Sequence, residues 1–119
     1  RAVIINTGLD TQAGLAGSRL SQGQRQKLSI ARALLRRPDH LILNDATSSL
    51  DSGSQTLVMS NILSEMKGRN VTWALQRASL AEKFDRVLVL SGGQVVEDGS
   101  FKGLANKKDS AFNDLLREE

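Results

Sequence analysis

The sequence predicts an α/β fold, a mainly parallel sheet flanked by helices with a C-terminal hairpin, on three observations. Short apolar runs of strand length alternate with segments of helical periodicity, the order that builds a parallel sheet with helices on its faces. Leu41-Ile42-Leu43 is a continuous apolar run of the kind found in strands buried on both sides. Ser91-Gly92-Gly93 joins two β-rich runs through paired glycines, the chemistry of a tight antiparallel turn. A chain of 119 residues supports one domain with a modest core, and no repeat or low-complexity tract divides residues 1–119. The opening Arg1-Ala2-Val3-Ile4-Ile5-Asn6 reads as the middle of a longer chain, so the expectation is part of one domain.

Within residues 1–19, Ala13-Gly14-Leu15-Ala16-Gly17 suggests a short helix followed by a surface loop. From Ser21 to Arg37 the apolar set Leu28, Ala31, Leu34 and Leu35 recurs at helical spacing, and Arg36-Arg37-Pro38 closes the segment with cations and a breaker. His40 to Asn44 is the first strand, with His40 at its edge. Asp51 to Met66 reads as a second helix anchored by Leu57, Ile62 and Leu63 and stopped near Gly68. Asn70 to Leu75 and Arg86 to Leu90 are further strands, and Gln94 to Glu97 returns from the glycine turn. Phe101 to Ala105 and Ala111 to Arg117 form short closing helices.

Composition removes several classes of function. A net charge of +3 and a pI near 9.7 tolerate an acidic partner, but the cations are interleaved with Asp and Glu, which argues against a nucleic-acid stripe. The absence of cysteine excludes disulfides and cysteine metal sites, and with His40 as the single histidine a transition-metal site of the usual kind is not expected. No apolar run approaches the roughly 20 residues that span a bilayer.

Two stretches carry chemistry. Leu20-Ser21-Gln22-Gly23-Gln24 opens the first helix. Ser21 is a good N-cap, the unpaired amides and the positive end of the dipole can face an anion, and Gly23 lets the backbone come close to it. An ordinary capped amphipathic helix would carry the same residues. The second stretch, Leu41 to Asp51, places Asn44, Asp45, Thr47, Ser48, Ser49 and Asp51 at the carboxyl end of a buried strand, where open α/β sheets bind ligands.

In this order and at this spacing, the two stretches resemble the nucleotide-binding domain of ATP-binding-cassette transporters, most closely the exporter-like branch. The resemblance covers essentially the whole chain, including Asp98-Gly99-Ser100 after the hairpin. It implies a partial P-loop NTPase-type fold, with Leu20 to Gln24 as the signature motif and Leu41 to Asp51 as Walker B plus the D-loop. A literal pattern search would prefer Leu90-Ser91-Gly92-Gly93-Gln94, which spells the commonest signature more faithfully. That copy lies between two β-rich runs, so it is read as a hairpin turn with no helix dipole behind it.

The resemblance also assigns roles. In this family two such domains sandwich ATP head to tail. Ser21, Gln22, Gly23 and Gln24 are implied to touch the terminal phosphate of a partner's ATP, and Asp51 to bind nucleotide as the D-loop acid. Counting back from Asp51 puts Asn44 at the metal-positioning aspartate and Asp45 at the catalytic glutamate. The alternative register, with Asp45 on the metal side, needs a deletion before Thr47 and leaves Ala46 at the base position. Neutral Asn44 gives up charge attraction for Mg²⁺, and Asp45 sets a general base one methylene back from its water. Gln76 stands where the family has a phosphate-contacting histidine, and it can donate a hydrogen bond but cannot carry charge or shuttle a proton. Asp45 and Gln76 are thus degenerate catalytic positions, with Asn44 and Asp45 weak Mg²⁺ sites acting through water.

Other departures bear on partners. Leu15 stands where a glutamate usually contacts the membrane domain, and Arg25 is either a solvated helix residue or a partner contact. No Gly-x-x-x-x-Gly-Lys-Ser/Thr match occurs in the chain, so the resemblance places the phosphate loop upstream of Arg1. The expected partners are a second nucleotide-binding domain and the transmembrane domain of the transporter, on the cytoplasmic side of the membrane, with no nucleic acid. The signature and the degenerate site serve different nucleotides, and they are expected to fail independently. Two rival readings are a non-hydrolysing interaction module of the same fold and a chromosome-organising or repair ATPase.

Overall fold

A computed structural model describes residues 20–119, which divide into two compact units with the boundary after Ala74. The expected helix and loop within residues 1–19 lie outside the described residues, as does Leu15.

The first unit contains α1 (Gln22–Leu35), β1 (His40–Asn44), α2 (Ser52–Glu65) and β2 (Asn70–Ala74). β1 and β2 pair in parallel, from His40 opposite Asn70 to Asn44 opposite Ala74. Two tethers set this register at the start of the strands: the Asn70 amide donates to the Asp39 carbonyl at 3.1 Å, and Arg69 Nη1 donates to the Pro38 carbonyl at 3.2 Å. The core is Ile30, Leu41, Leu43, Val58, Ile62 and Met66, with Trp73 and Leu50 packed against it.

The inward faces of the helices differ from the expected ones. On α1, Ile30 and Ala31 are buried while Leu28 and Leu35 are exposed. On α2, the buried set is Gln55, Val58, Met59 and Ile62, and Leu57 is 58% exposed. Gln55, Met59, Ile62 and Met66 share one helical stripe, and Leu57 lies about 200° around the axis from Met59. β1 buries Leu41 and Leu43 on one face only, because Ile42 on the other face is 70% exposed among the described residues.

The second unit holds a six-residue 3₁₀ helix (Ala78–Lys83) that periodicity did not predict, the hairpin β3 (Val87–Ser91) and β4 (Gln94–Gly99), and the short helices α3 (Phe101–Asn106) and α4 (Ala111–Arg117). Gly92 and Gly93 both have positive φ, 58° and 77°, which gives a two-residue turn of the primed type matched to strand twist. Leu90 to Gln94 is therefore a turn between antiparallel strands, as its context predicts. The Arg86 guanidinium clamps Asp98 at the far end of the hairpin, at 2.9 and 2.6 Å, and lowers the Asp98 pKa below the usual carboxylate range by that hydrogen bond. Glu97 accepts the Ala111 and Phe112 amides at 2.9 Å each, joining the hairpin to the first turn of α4. Phe101 and Phe112 meet edge to face at 5.4 Å within a core of Ala78, Ala81, Val87, Val89, Leu104 and Phe112.

Candidate functional site

The loop at the head of α1 is held by a complete capping box. The Gln24 amide donates to Ser21 Oγ at 3.1 Å, and the Ser21 amide donates to Gln24 Oε1 at 2.9 Å. This arrangement uses the Ser21 and Gln24 amides and leaves those of Gln22 and Gly23 as the first-turn donors outside the box. Ser21 Oγ is an acceptor in the box, so its own hydroxyl hydrogen remains a donor. The Arg25 side chain folds back, donating to the Leu20 carbonyl at 3.0 Å and to Gln22 Oε1 at 2.5 Å. Its position is a local contact that sets a positive charge against the loop, a third possibility besides the two left open by the sequence.

Gly23 lies close against the loop that follows β1. A Cβ there would stand 2.9 Å from Leu50 Cδ2 and 3.5 Å from the Ser49 carbonyl oxygen. The residue expected to admit a phosphate also admits the loop that follows β1.

That loop, residues 45–51, is tied down at both ends. Asp45 adopts a left-handed backbone with φ 54°, and its amide donates to the Ala74 carbonyl at 3.0 Å, extending the parallel pairing by one bond. Thr47 is 1% exposed, and Gln55 Nε2 donates to both its carbonyl and its hydroxyl oxygens at 3.1 Å. Asp51 caps α2, taking the Ser54 amide on Oδ1 at 2.8 Å and the Ser54 hydroxyl on Oδ2 at 3.1 Å. The Ser54 amide and hydroxyl hold the Asp51 carboxyl below the usual carboxylate range. Both its oxygens therefore already have partners on the chain's own helix.

Asn44 ends β1 with an exposed side chain, and Asp45 follows it half-buried. Each offers a hard oxygen of the kind Mg²⁺ takes, directly or through water. Among the described residues no three acidic or histidine side chains cluster to form a stronger site. Gln76 stands two residues beyond β2, exposed, at the start of the second unit.

Sequence reasoning missed Gln26 and Gln55. Gln26 Nε2 donates to Ser48 Oγ at 3.1 Å, and Gln26 Oε1 accepts the Ser49 amide at 3.0 Å. The available signal was spacing, since Gln26 lies one turn beyond Gly23 on the same face of α1.

The family model described as ABC transporter matches residues 2–48. The ABC multidrug transporter mdr2 of Aspergillus fumigatus is 45% identical over 111 residues, covering 92% of this chain and 14% of that protein. The ATP-dependent permease MDL1 of Candida albicans is 47% identical over 114 residues, covering 92% of this chain and 17% of that protein. The solved structure of a bacterial Atm1-family ABC exporter with ATP bound matches with a TM-score of 0.81 at 30% identity, over 96% of this chain and 20% of that one. The chain thus spans between 14% and 20% of the lengths of these relatives. No helix among the described residues is long and apolar enough to cross a membrane. The chain belongs to the ATP-binding domains of ABC transporters, on the exporter side of that family.

Proposed function

We propose that this chain supplies the signature loop, the Walker B strand and the D-loop to the ATP sandwich of an exporter, and that it closes over nucleotide held by a second nucleotide-binding domain. The capping box at Ser21 and Gln24 is the observation that carries this reading. It fixes the loop at the head of a fourteen-residue helix and leaves the Ser21 hydroxyl and the Gln22 and Gly23 amides to face a terminal phosphate. The carboxamide nitrogen of Gln24 is a further donor, since the box uses only its oxygen.

Asn44 and Asp45 serve the other nucleotide site, that of the chain's own domain, and Gln76 is the position where the family has a phosphate-contacting histidine. There Asn44 and Asp45 would hold Mg²⁺, which supplies charge neutralisation at the phosphates when bound. On this reading Asp45 stands at the general-base position, and its short side chain makes proton transfer from water slow. Gln76 can orient a phosphate oxygen but adds no charge to it. A partner with intact residues would hydrolyse ATP at the site this signature closes, while two copies of this chain would make two slow sites. The transmembrane domain of the same transporter is the second partner, met on the cytoplasmic side of the membrane.

Ser21→Arg in the intact protein abolishes ATP-driven dimerisation, because a guanidinium stem fills the space the phosphate needs. A dimer peak on a sizing column that survives this substitution unchanged refutes the signature assignment.

A further inference from the structure

The signature loop and the Walker B loop bear on different nucleotides, yet in this chain they touch each other. Gln26 spans the gap with both ends of its carboxamide, donating to Ser48 Oγ at 3.1 Å and accepting from the Ser49 amide at 3.0 Å. Three residues earlier, Gly23 packs so closely on Leu50 that even a methyl group would come within 2.9 Å of Cδ2. Leu50 in turn packs against the core cluster that contains Ile30 of the same helix. Residues 48, 49 and 50 are therefore each seated on one face of α1, two by hydrogen bonds and one by van der Waals contact.

We infer that Gln26 is a positioning residue that fastens loop 45–51 to α1, so that the loop at Leu20 to Gln24 and the segment Asp45 to Asp51 move as one body. The inference rests on the nucleotide reading above and deepens it. Glutamine suits the task because one planar group supplies a donor and an acceptor in fixed relation. A hydrophobic residue there would hold α1 against the loop without fixing its register along the helix. The consequence is mechanical. Closure of the signature on a partner's phosphate is transmitted to the backbone that carries Asp45 and Asp51 in the chain's own site, without passing through ligand. The two sites are then coupled within this chain, although their chemistry can fail separately.

The test uses the intact transporter, with ATP-dependent closure followed by spin-label distances between the two nucleotide-binding domains. Gln26→Ala removes both contacts and should raise the half-saturating ATP concentration at least fivefold. Gln26→Glu keeps both, since a carboxylate accepts from the Ser49 amide and from the Ser48 hydroxyl, and should return the value to within twofold of the wild type. Wild-type closure by Gln26→Ala, or a Gln26→Glu variant as impaired as Gln26→Ala, overturns the inference. Ser21→Arg serves as the control: if it leaves closure intact the nucleotide reading itself fails, whereas loss of closure by Ser21→Arg alone overturns only the role of Gln26.

Discussion

Replacing Gln55 by alanine should loosen the loop after β1 by an amount that the structure allows to be worked out. Gln55 is 7% exposed and directs one nitrogen at two acceptors of Thr47, a residue that is itself 1% exposed. Leaving a buried acceptor without its donor costs about 1–3 kcal/mol. The Thr47 carbonyl keeps a second donor, the Leu50 amide at 3.1 Å, so its loss is partial. The hydroxyl loses its Gln55 donor outright. A total of about 2 kcal/mol follows, equivalent to about a 30-fold rise in the population of the opened loop. Amide hydrogen exchange of the peptide covering residues 45–51 reads that population directly in the intact protein. Thr47→Val removes only the hydroxyl and should raise exchange about fivefold, about 1 kcal/mol. Exchange in Gln55→Ala within threefold of the wild type would show that Gln55 does not hold this loop.

Four further outcomes are expected. Ile30→Ala empties a site in the middle of the first core and should cost about 3 kcal/mol, while Leu57→Ala, at an exposed position, should change stability by less than about 0.5 kcal/mol; urea unfolding compares them. Ser91→Arg alters the better-spelled signature copy on a hairpin turn and should leave ATP-driven dimerisation at the wild-type level, in contrast to Ser21→Arg. The Asp51 carboxyl should titrate below a free aspartate by carboxyl NMR. Its folded pKa is lowered, so its cap on α2 is at full strength above the unfolded value of about 4 and is lost as pH falls through the lowered value. A midpoint at or above that of a free aspartate refutes the capping geometry. Restoring the family residues together, Asn44→Asp with Asp45→Glu and Gln76→His, should raise ATP hydrolysis at least tenfold at the chain's own site, and no gain would mean that the slow step lies elsewhere.

The strands and helix ends were legible in the sequence because local chemistry decides them. The first strand has the bounds read from the sequence, His40 to Asn44, Ser21 caps α1 as its chemistry predicts, and paired glycines turn the hairpin. The inward faces of α1 and α2 were less legible, because each is centred on a residue that composition marks as outside. Gln26 and Gln55 face the loop after β1 since that loop offers them partners, and only the folded chain brings residues 22 and 23 positions apart, Ser48 and Ser49, within reach of Gln26. Leu28, Leu35 and Leu57 kept helical spacing while lying on the wrong side of it. Gly23 reads from the sequence as a point of close approach, but the neighbour that the structure shows there is Leu50, about which spacing says nothing.

Under the proposed reading, Asn44, Asp45 and Gln76 are the positions altered from the family pattern, and they are not equivalent in backbone terms. Asn44 occupies regular β structure with an exposed side chain, so an aspartate there would change charge and little else. Gln76 lies in an exposed bend, where a histidine meets no packing constraint from the described core. Asp45 differs, because its φ of 54° is a region that aspartate enters more readily than glutamate, its short polar side chain being able to satisfy nearby backbone groups. The amide held by the Ala74 carbonyl fixes that conformation rather than leaving the side chain to choose it. Under the proposed reading, the shorter acid at this position is matched to the backbone that carries it. The loss of one methylene of reach and the left-handed turn are then one adaptation, and a glutamate introduced alone must bear the strain that aspartate avoids.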